Sequence, residues 1–576
     1  MAKYYISNST GNDGNPGTIS QPYKNFVGKL DGSNALNPND TVYFLAGDTW
    51  SGSNANILVK SNGTPGNQIL LTRYGNGADP VFNGSALTTG WTNTSGTIYS
   101  KSGLFGTTKT VGVDGTYSLG KWNGTNSTLP NGTFRNESGT VYINLSDGSN
   151  PSGHSIYVPT FDINFGASCL VGGYNSNSFG QYVTYDHLNV IYSPSVGMAA
   201  SSTGVTIQNC TVTGSGIDGI LAYAELAGNG CFADHMTITG NTVTYNCSNG
   251  TGYGQGITVY ATYPTVTFNL VHHNFMAGID MLDADSNKSV NNFLIAFNIV
   301  HHNAQWNDAG SFDPEIYIDG ANTGTIFGNL IYSGGGTTSN HVNGISVSAE
   351  NAGKFTHDIN IVNNLIYNAS NYPIYLGYNH FQAGNLGYNV FIYNNTLQQL
   401  DPNFFVGCIG IEGSGSTGSG TVIQNNVMYK ENTTAIYPYA SSTDWGTNAA
   451  NIHCDYNIYW NPGSTNLVNF GGFNLALASW QAAPYNQDAH SLFSDPKLAN
   501  TTNASFDAHL NSGSPARGYH VTPWAETPVL QGTTLASNAY DTSLTDLGFH
   551  YLSNLPAPTE STGAGIRISM TGVFFR

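Results

Sequence analysis

The chain has 576 residues and a formal net charge of −18, with 16 Lys plus Arg against 34 Asp plus Glu. That balance argues against nucleic acid or an anionic membrane as partner, and no apolar stretch is long enough for membrane insertion. Gly at 70 residues, 12% aromatic and only 9% charged residues describe strands and turns rather than a helical protein.

Residues 1–85 read as an N-terminal cap and first coils. Met1-Ala-Lys-Tyr-Tyr5 runs into Asn, Ser and Gly without the apolar core of a signal peptide. That start fits a chain whose signal has been removed, or one not exported by that route, such as a virion protein released by lysis; the expected location is extracellular or on a virion surface. The stretch Tyr4-Tyr-Ile-Ser-Asn-Ser-Thr-Gly-Asn-Asp-Gly-Asn-Pro-Gly, followed by Asn39-Asp-Thr-Val-Tyr-Phe-Leu-Ala-Gly-Asp-Thr-Trp50, resembles the start of the pectate-lyase-like β-helix superfamily. The resemblance implies a short capping helix over Pro22 to Leu30, where an open solenoid end would otherwise expose apolar side chains and unpaired strand edges.

Residues 86–160 break the pattern that follows. Trp91, Tyr99, Val111, Val113, Trp122 and Val141-Tyr-Ile-Asn-Leu145 alternate as short antiparallel hairpins do, so this is a small β-rich insertion. It is read either as one end of a substrate groove or as a structural flap.

Residues 161–490 carry the repeat. Asn recurs at 241, 269, 298, 329, 364, 395, 426 and 457, at intervals of 28, 29, 31, 35, 31, 31 and 31. Three residues before each Asn, and two after it, the columns are apolar, as in Ile238, Asn241 and Val243. Strand, bend, strand is the implied unit, with Asn at the bend because it tolerates left-handed angles and its amide bonds neighbouring backbone. A third strand per repeat begins at Ile220, Ile257, Ile279, Ile316, Ile345, Ile374, Ile409 and Ile436. Three short strands per repeat make one coil of a single-stranded, right-handed parallel β-helix, an all-β solenoid.

Residues 491–552, with Phe493-Ser-Asp-Pro-Lys497 and Asp546-Leu-Gly-Phe-His-Tyr551, resemble the closing segment of secreted bacterial β-helix proteins. Residues 553–576 form a tail whose last strand, Ile566 to Arg576, packs on its own coil or pairs with another subunit of a homo-oligomer or a virion partner.

Cys210 falls in the Asn column and Cys454 in an apolar column, so both are expected to be buried thiols; Cys231 and Cys247 are placed to close a loop disulfide. His272-His273 and His301-His302 occupy the same place in successive coils, as stacked turn residues or as metal ligands. No metal-binding spacing appears and no cofactor is expected, except Ca²⁺ if the protein is a lyase.

In this superfamily sugar lies across the strands of the Ile column. Side chains one and three residues after each Ile alternate outward, which selects Tyr223, Tyr260, Asp280, Tyr317, Asp319 and Tyr375. Asp280 and Asp319 are the first choices for catalysis, in consecutive coils and on a diagonal of roughly 8 Å. Paired carboxylates hydrolyse glycosides at spacings of about 5 Å or about 6.5–9.5 Å. Asp283 and Glu315, at the strand edges, are alternates. The Tyr residues suit sugar stacking, and the loop bearing Trp306 and Asp313 would wall the groove. The expected function is binding of a neutral or weakly acidic polysaccharide and its hydrolysis, as in phage tailspike depolymerases, which resemble this chain in fold. The alternatives are a non-catalytic spike, fibre or adhesin, and a polysaccharide lyase.

Overall fold

The computed structural model describes residues 1–104, 108–159, 170–172, 180–223, 233–248, 254–283, 290–305, 314–333, 342–349, 354, 356–377, 388–399, 407–412, 420–430, 436–439, 452–470, 473–502, 506–519, 534–535 and 546–551. It divides into two compact units, Met1–Asp280 with Asn303–Trp306, and Met281–His302 with Asn307–Arg576.

In the first unit three parallel sheets recur coil by coil. The leading face, ahead of the Asn bend, runs through Val183–Asp186, Thr206–Gln208, Thr237–Thr239 and Thr265–Thr267. The trailing face, after the bend, runs through Asn189–Ile191, Thr211–Thr213, Thr242–Thr244 and Leu270–His272. The isoleucine face runs through Met198–Ala200, Ile220–Ala222 and Ile257–Val259. The second unit repeats the plan: Ile316 pairs with Ile345, Ile345 with Ile374, Ile374 with Ile409 and Ile409 with Ile436, all parallel and in register. In both units the described residues of the apolar columns are buried, which fixes the register, because a slip of one residue would turn a strand's apolar set outward. The fold is therefore a right-handed parallel β-helix.

The bend works differently from the expectation. The left-handed residue is the one before the column position: Asn209 (φ 52, before Cys210), Gly240 (φ 68), Phe268 (φ 56), Asn363 (φ 55) and Asn425 (φ 63). That twist frees the column Asn to turn its amide inside. The Asn364 Oδ1 accepts both the backbone N–H and the side-chain N–H of Asn329, at 3.0 and 2.9 Å, while its own Nδ2 donates to the Ile326 carbonyl at 2.9 Å. The same triad links Asn395 to Asn364 and Asn426 to Asn395. A second ladder, Asn246, Asn274 and Asn303, stands at the next corner of the first unit.

The expected N-terminal helix is a single turn. Leu30 and Lys29 N–H groups both bond the Phe26 carbonyl, and Gly28 at φ 78 ends the turn. Phe26 and Leu30 are buried, so the turn still plugs the end. At the other end the ladder finishes on Asp488, whose carboxylate accepts bonds from Tyr459, Trp480, Ser491 and Asn457. Burial pushes its carboxyl up to about 6 in spite of those four donors.

Each unit has its trailing face covered. In the first, residues 86–158 form two small, largely antiparallel sheets around Val113, Phe134, Val141 and Ile143. They dock through Tyr192 Oη to the Val113 carbonyl (2.8 Å) and Ser118 Oγ to the Tyr245 carbonyl (2.7 Å). In the second, the closing segment does the same: Phe549 N–H reaches Thr396 Oγ1 at 3.0 Å and His550 N–H reaches Asn363 Oδ1 at 2.6 Å. Cys210 and Cys454 are buried as expected, and Cys247 is buried too, while Cys231 and the tail 553–576 lie outside the described residues.

Candidate functional site

The trailing faces are covered, and the leading strands carry Thr and Gln with Asp186 in the first unit and His357, Asp358 and Asp455 in the second; Asp280 and Asp319 lie with the tyrosines on the isoleucine strands. In the first unit Tyr223 and Tyr260, both half-buried, stand one coil apart with ring centroids 5.0 Å apart at 62°. One residue after each column Ile come Leu221, Thr258 and Asp280, aligned by the Ile220–Ile257 register and by the bond from Ile257 N–H to the Gly278 carbonyl. Strand alternation implies an outward Asp280, but it is only 2% exposed, buried between Ile279 and Met281.

A further carboxylate, which the sequence reasoning missed, lies beside this row. Asp218 is buried two residues before Ile220, and its Oδ1 accepts the Gln255 N–H at 2.9 Å and the Thr258 hydroxyl. Burial raises its carboxyl to about 6 against the lowering effect of those bonds. Asn343 holds the corresponding place before Ile345, with Oδ1 accepting the Tyr372 N–H at 3.1 Å and Nδ2 donating to Ser346 Oγ at 3.0 Å. A polar residue two before the column Ile was the signal that could have found both.

In the second unit Tyr317, Ile318 and Asp319 occupy the strand Ile316–Asp319. Tyr317 is half-buried and its hydroxyl accepts from Ser348 Oγ at 2.9 Å, while Asp319 is 3% exposed. Asp283 lies against the same strand end: its N–H donates to the Asp319 carbonyl at 2.8 Å, and its Oδ1 is 2.5 Å from Lys354 Nζ. Gly320, at φ 73, makes room for that ion pair, because a Cβ there would fall 3.1 Å from Lys354 Cβ and 3.4 Å from Asp283 Cβ. Glu315, the other alternate, is fully buried; the corresponding positions before Ile220, Ile257 and Ile345 are glycines crowded by neighbouring chain, so Glu315 stands at an interior corner of the coil. Tyr375 is half-buried and stacks on Tyr372 at 5.3 Å and 19°. Trp306 and Asp313 lie outside the described residues.

The structure thus brings Asp319, Asp283 and Tyr317 together, and with them Lys354, which sequence reasoning did not select. Of the tandem histidines, His272 and His301 end trailing strands and His273 and His302 follow at left-handed bends (φ 55 and 52), and their rings join side-chain stacks. His301 stacks on Tyr332 at 4.5 Å, Tyr332 on Tyr367 at 5.0 Å, and Tyr367 on Phe506 of the closing segment at 5.0 Å.

No family profile and no curated protein matches the chain. Solved structures do. The structure of XylC with xylose aligns at a TM-score of 0.51 and 12% identity, over 86% of this chain and 87% of that one. A glycoside hydrolase aligns at 0.47 and 10% identity over 76% and 95%, and pectate lyase Pel9A at 0.43 and 13% over 96% and 97%. The chain has the right-handed parallel β-helix fold that its resemblance to the pectate-lyase-like superfamily implies and that it shares with the xylose-bound XylC structure.

Proposed function

We propose that the chain binds a neutral or weakly acidic polysaccharide on its isoleucine face and hydrolyses it through carboxylates, with Asp280 the candidate of the first unit and Asp319 that of the second. The observation that carries this reading is that within each unit the isoleucine strands bring a buried acid and half-buried tyrosines together: Asp280 with Tyr223 and Tyr260, and Asp319 with Tyr317 and Tyr375. Recess from bulk water strengthens the interaction of a carboxyl with a bound sugar oxygen, and tyrosine rings offer flat apolar surface with a polar edge. In such a mechanism one carboxylic acid protonates the leaving oxygen while a second carboxylate activates water or attacks the anomeric carbon. Xylose in the XylC structure is in keeping with carbohydrate as the ligand class. Tyr260 and Tyr223 in the first unit, and Tyr317 and Tyr375 in the second, are the proposed sugar-contacting rings; Asp283, paired with Lys354, serves as a supporting group rather than the acid. A place on a virion surface or outside the cell, with a homo-oligomer or virion partner bound through the tail, belongs to the same proposal.

Incubation with a polysaccharide panel tests it through release of reducing ends. Hydrolysis gives reducing ends without ultraviolet absorbance. An unsaturated, absorbing product would make the protein a lyase, and binding without any cleavage would make it an adhesin or spike.

A further inference from the structure

Ser149, His154 and Asp114 meet on the outer turns of the insertion, away from the isoleucine strands. Asp114, at φ 54, and Gly115, at φ 74, form the bend between the strands Gly112–Val113 and Tyr117–Ser118. Two bonds tie that bend to the start of the strand Ile156–Val158: Asp114 N–H donates to the Ser155 carbonyl at 2.9 Å, and Asp114 Oδ1 accepts the Ser155 N–H at 2.8 Å. Between Ser149 and His154 the chain makes one tight turn, Pro151–Gly153. Asn150 Oδ1 caps it on the Ser152 N–H at 2.9 Å, and the His154 N–H closes it on the Pro151 carbonyl at 3.1 Å.

These turns align three side chains. His154 Nδ1 lies 2.7 Å from Asp114 Oδ2 and its Nε2 2.8 Å from Ser149 Oγ, with Ser149 and His154 half-buried. Against burial, which raises it, the bonds from His154 and Ser155 hold the Asp114 carboxyl below its ordinary range. An ionised Asp114 keeps the ring proton on Nδ1, so Nε2 is the atom left to accept the Ser149 hydroxyl proton. The N–H groups of Gly148, Ser149, Ser152, Gly153 and His154 are spent within the turn, while that of Asn150 meets no acceptor among the described residues. The residue after a nucleophile is placed to donate to the oxyanion that forms there. Tyr117, whose hydroxyl bonds Ser146, stands beside the turn; its ring lies 6.0 Å from that of Tyr245, which stacks on His273 at 5.3 Å.

We propose that Ser149, His154 and Asp114 form an esterase site that hydrolyses small acyl esters, such as an O-acetyl group on a sugar, with Ser149 as nucleophile, His154 as general base and Asp114 as the positioning residue. The ester chemistry stands on the geometry alone; its assignment to a sugar rests on the reading of the chain as a glycan-binding protein. Ser149 Oγ attacks the acyl carbon as His154 Nε2 takes its proton, and the alcohol leaves with that proton. Water, deprotonated by the same nitrogen, then releases the acid and restores Ser149. Asp114 is exposed and both turns stand at the surface, which suits a small acyl group on a large carrier better than a long-chain ester, and the row Tyr117, Tyr245 and His273 offers flat surface for a sugar ring. Asp147, fully exposed, accepts the Ser149 N–H at 2.9 Å and competes with His154 for the Ser149 hydroxyl, so its charge is no part of the machinery.

The test uses the full chain with p-nitrophenyl acetate, with chemically O-acetylated xylan, and with diisopropyl fluorophosphate as a covalent label. The label should reach Ser149, located by the mass of its peptide, in wild type and not in His154→Gln. Ser149→Ala and His154→Gln should each lower nitrophenol release at least about a hundred-fold, and Asp114→Asn should lower kcat at least about ten-fold with KM unchanged. Asp147→Asn should retain the wild-type rate. Absence of label on Ser149, or a wild-type rate in Ser149→Ala, would overturn the site, and equal losses in Asp147→Asn and Asp114→Asn would overturn the role of Asp114. Nitrophenol release without acetate release from the xylan would overturn the sugar assignment. Acetate release from a protein that cleaves no polysaccharide backbone would uphold the esterase site and refute hydrolysis on the isoleucine face, so the two failures are told apart.

Discussion

Asn364 shows how much rests on a single side chain in this architecture. Its amide serves two donors of Asn329 and the carbonyl of Ile326, all buried, so Asn364→Ala leaves several polar groups without partners at about 1–3 kcal/mol each. Urea unfolding should register a loss of several kcal/mol, and Asn364→Asp should not restore it, because a carboxylate cannot donate to Ile326. Lys354 has similar leverage. Lys354→Met would leave the Asp283 carboxylate buried without its cation, at about 3–5 kcal/mol, and adding Asp283→Asn should recover much of that loss. Asp488 makes a prediction in pH. Its carboxyl is pushed up to about 6 by burial, above its ordinary value of 3.8, so the folded state holds the proton more tightly than the unfolded chain. Its contribution to stability is greatest below about pH 4 and is lost as pH rises through about 6, a change of about 3 kcal/mol. The stability of wild type relative to Asp488→Asn should therefore fall between pH 4 and pH 7, and a constant difference would contradict the assignment.

At the level of strands and bends, the columns were legible because burial recurs at the same offset in every coil. Ile316, Ile345, Ile374 and Ile409 pair in the register their spacing implied. The position before the column Asn was not legible, since Asn, Gly and Phe all occupy it and only the backbone reveals its left-handed angle. The capping turn was mistaken for a helix because the weight of Gly28 is conformational rather than compositional. For the acids, strand alternation gave direction but not depth. Asp280 and Asp319 follow their column Ile by one and three residues, yet they are only 2% and 3% exposed, much as Thr258, Ser346 and Ser348 are at the same offsets in other coils (4% each). Gly320 carries a prediction at this scale. Gly320→Ala forces an L residue to φ 73 and crowds Lys354 and Asp283, so it should lower both stability and glycan turnover, read by thermal melting and by reducing-end release.

For the molecule as a whole, function follows from which faces are occupied. The insertion covers the trailing face of the first unit and the closing segment that of the second, and in each unit the isoleucine strands carry the acids and tyrosines. The repeat that announces the fold takes no part in chemistry; its role is to align successive side chains at fixed offsets. The central claim is that carboxylates of the isoleucine strands carry hydrolysis, Asp280 being the candidate of the first unit and Asp319 that of the second. The most direct measurement is the rate of reducing-end release by Asp280→Asn and Asp319→Asn on the polysaccharide that wild type cleaves, alongside the affinity of each variant for it. The account predicts that each variant keeps its fold and its affinity while its rate falls at least about a hundred-fold. Wild-type rates in both variants would contradict it.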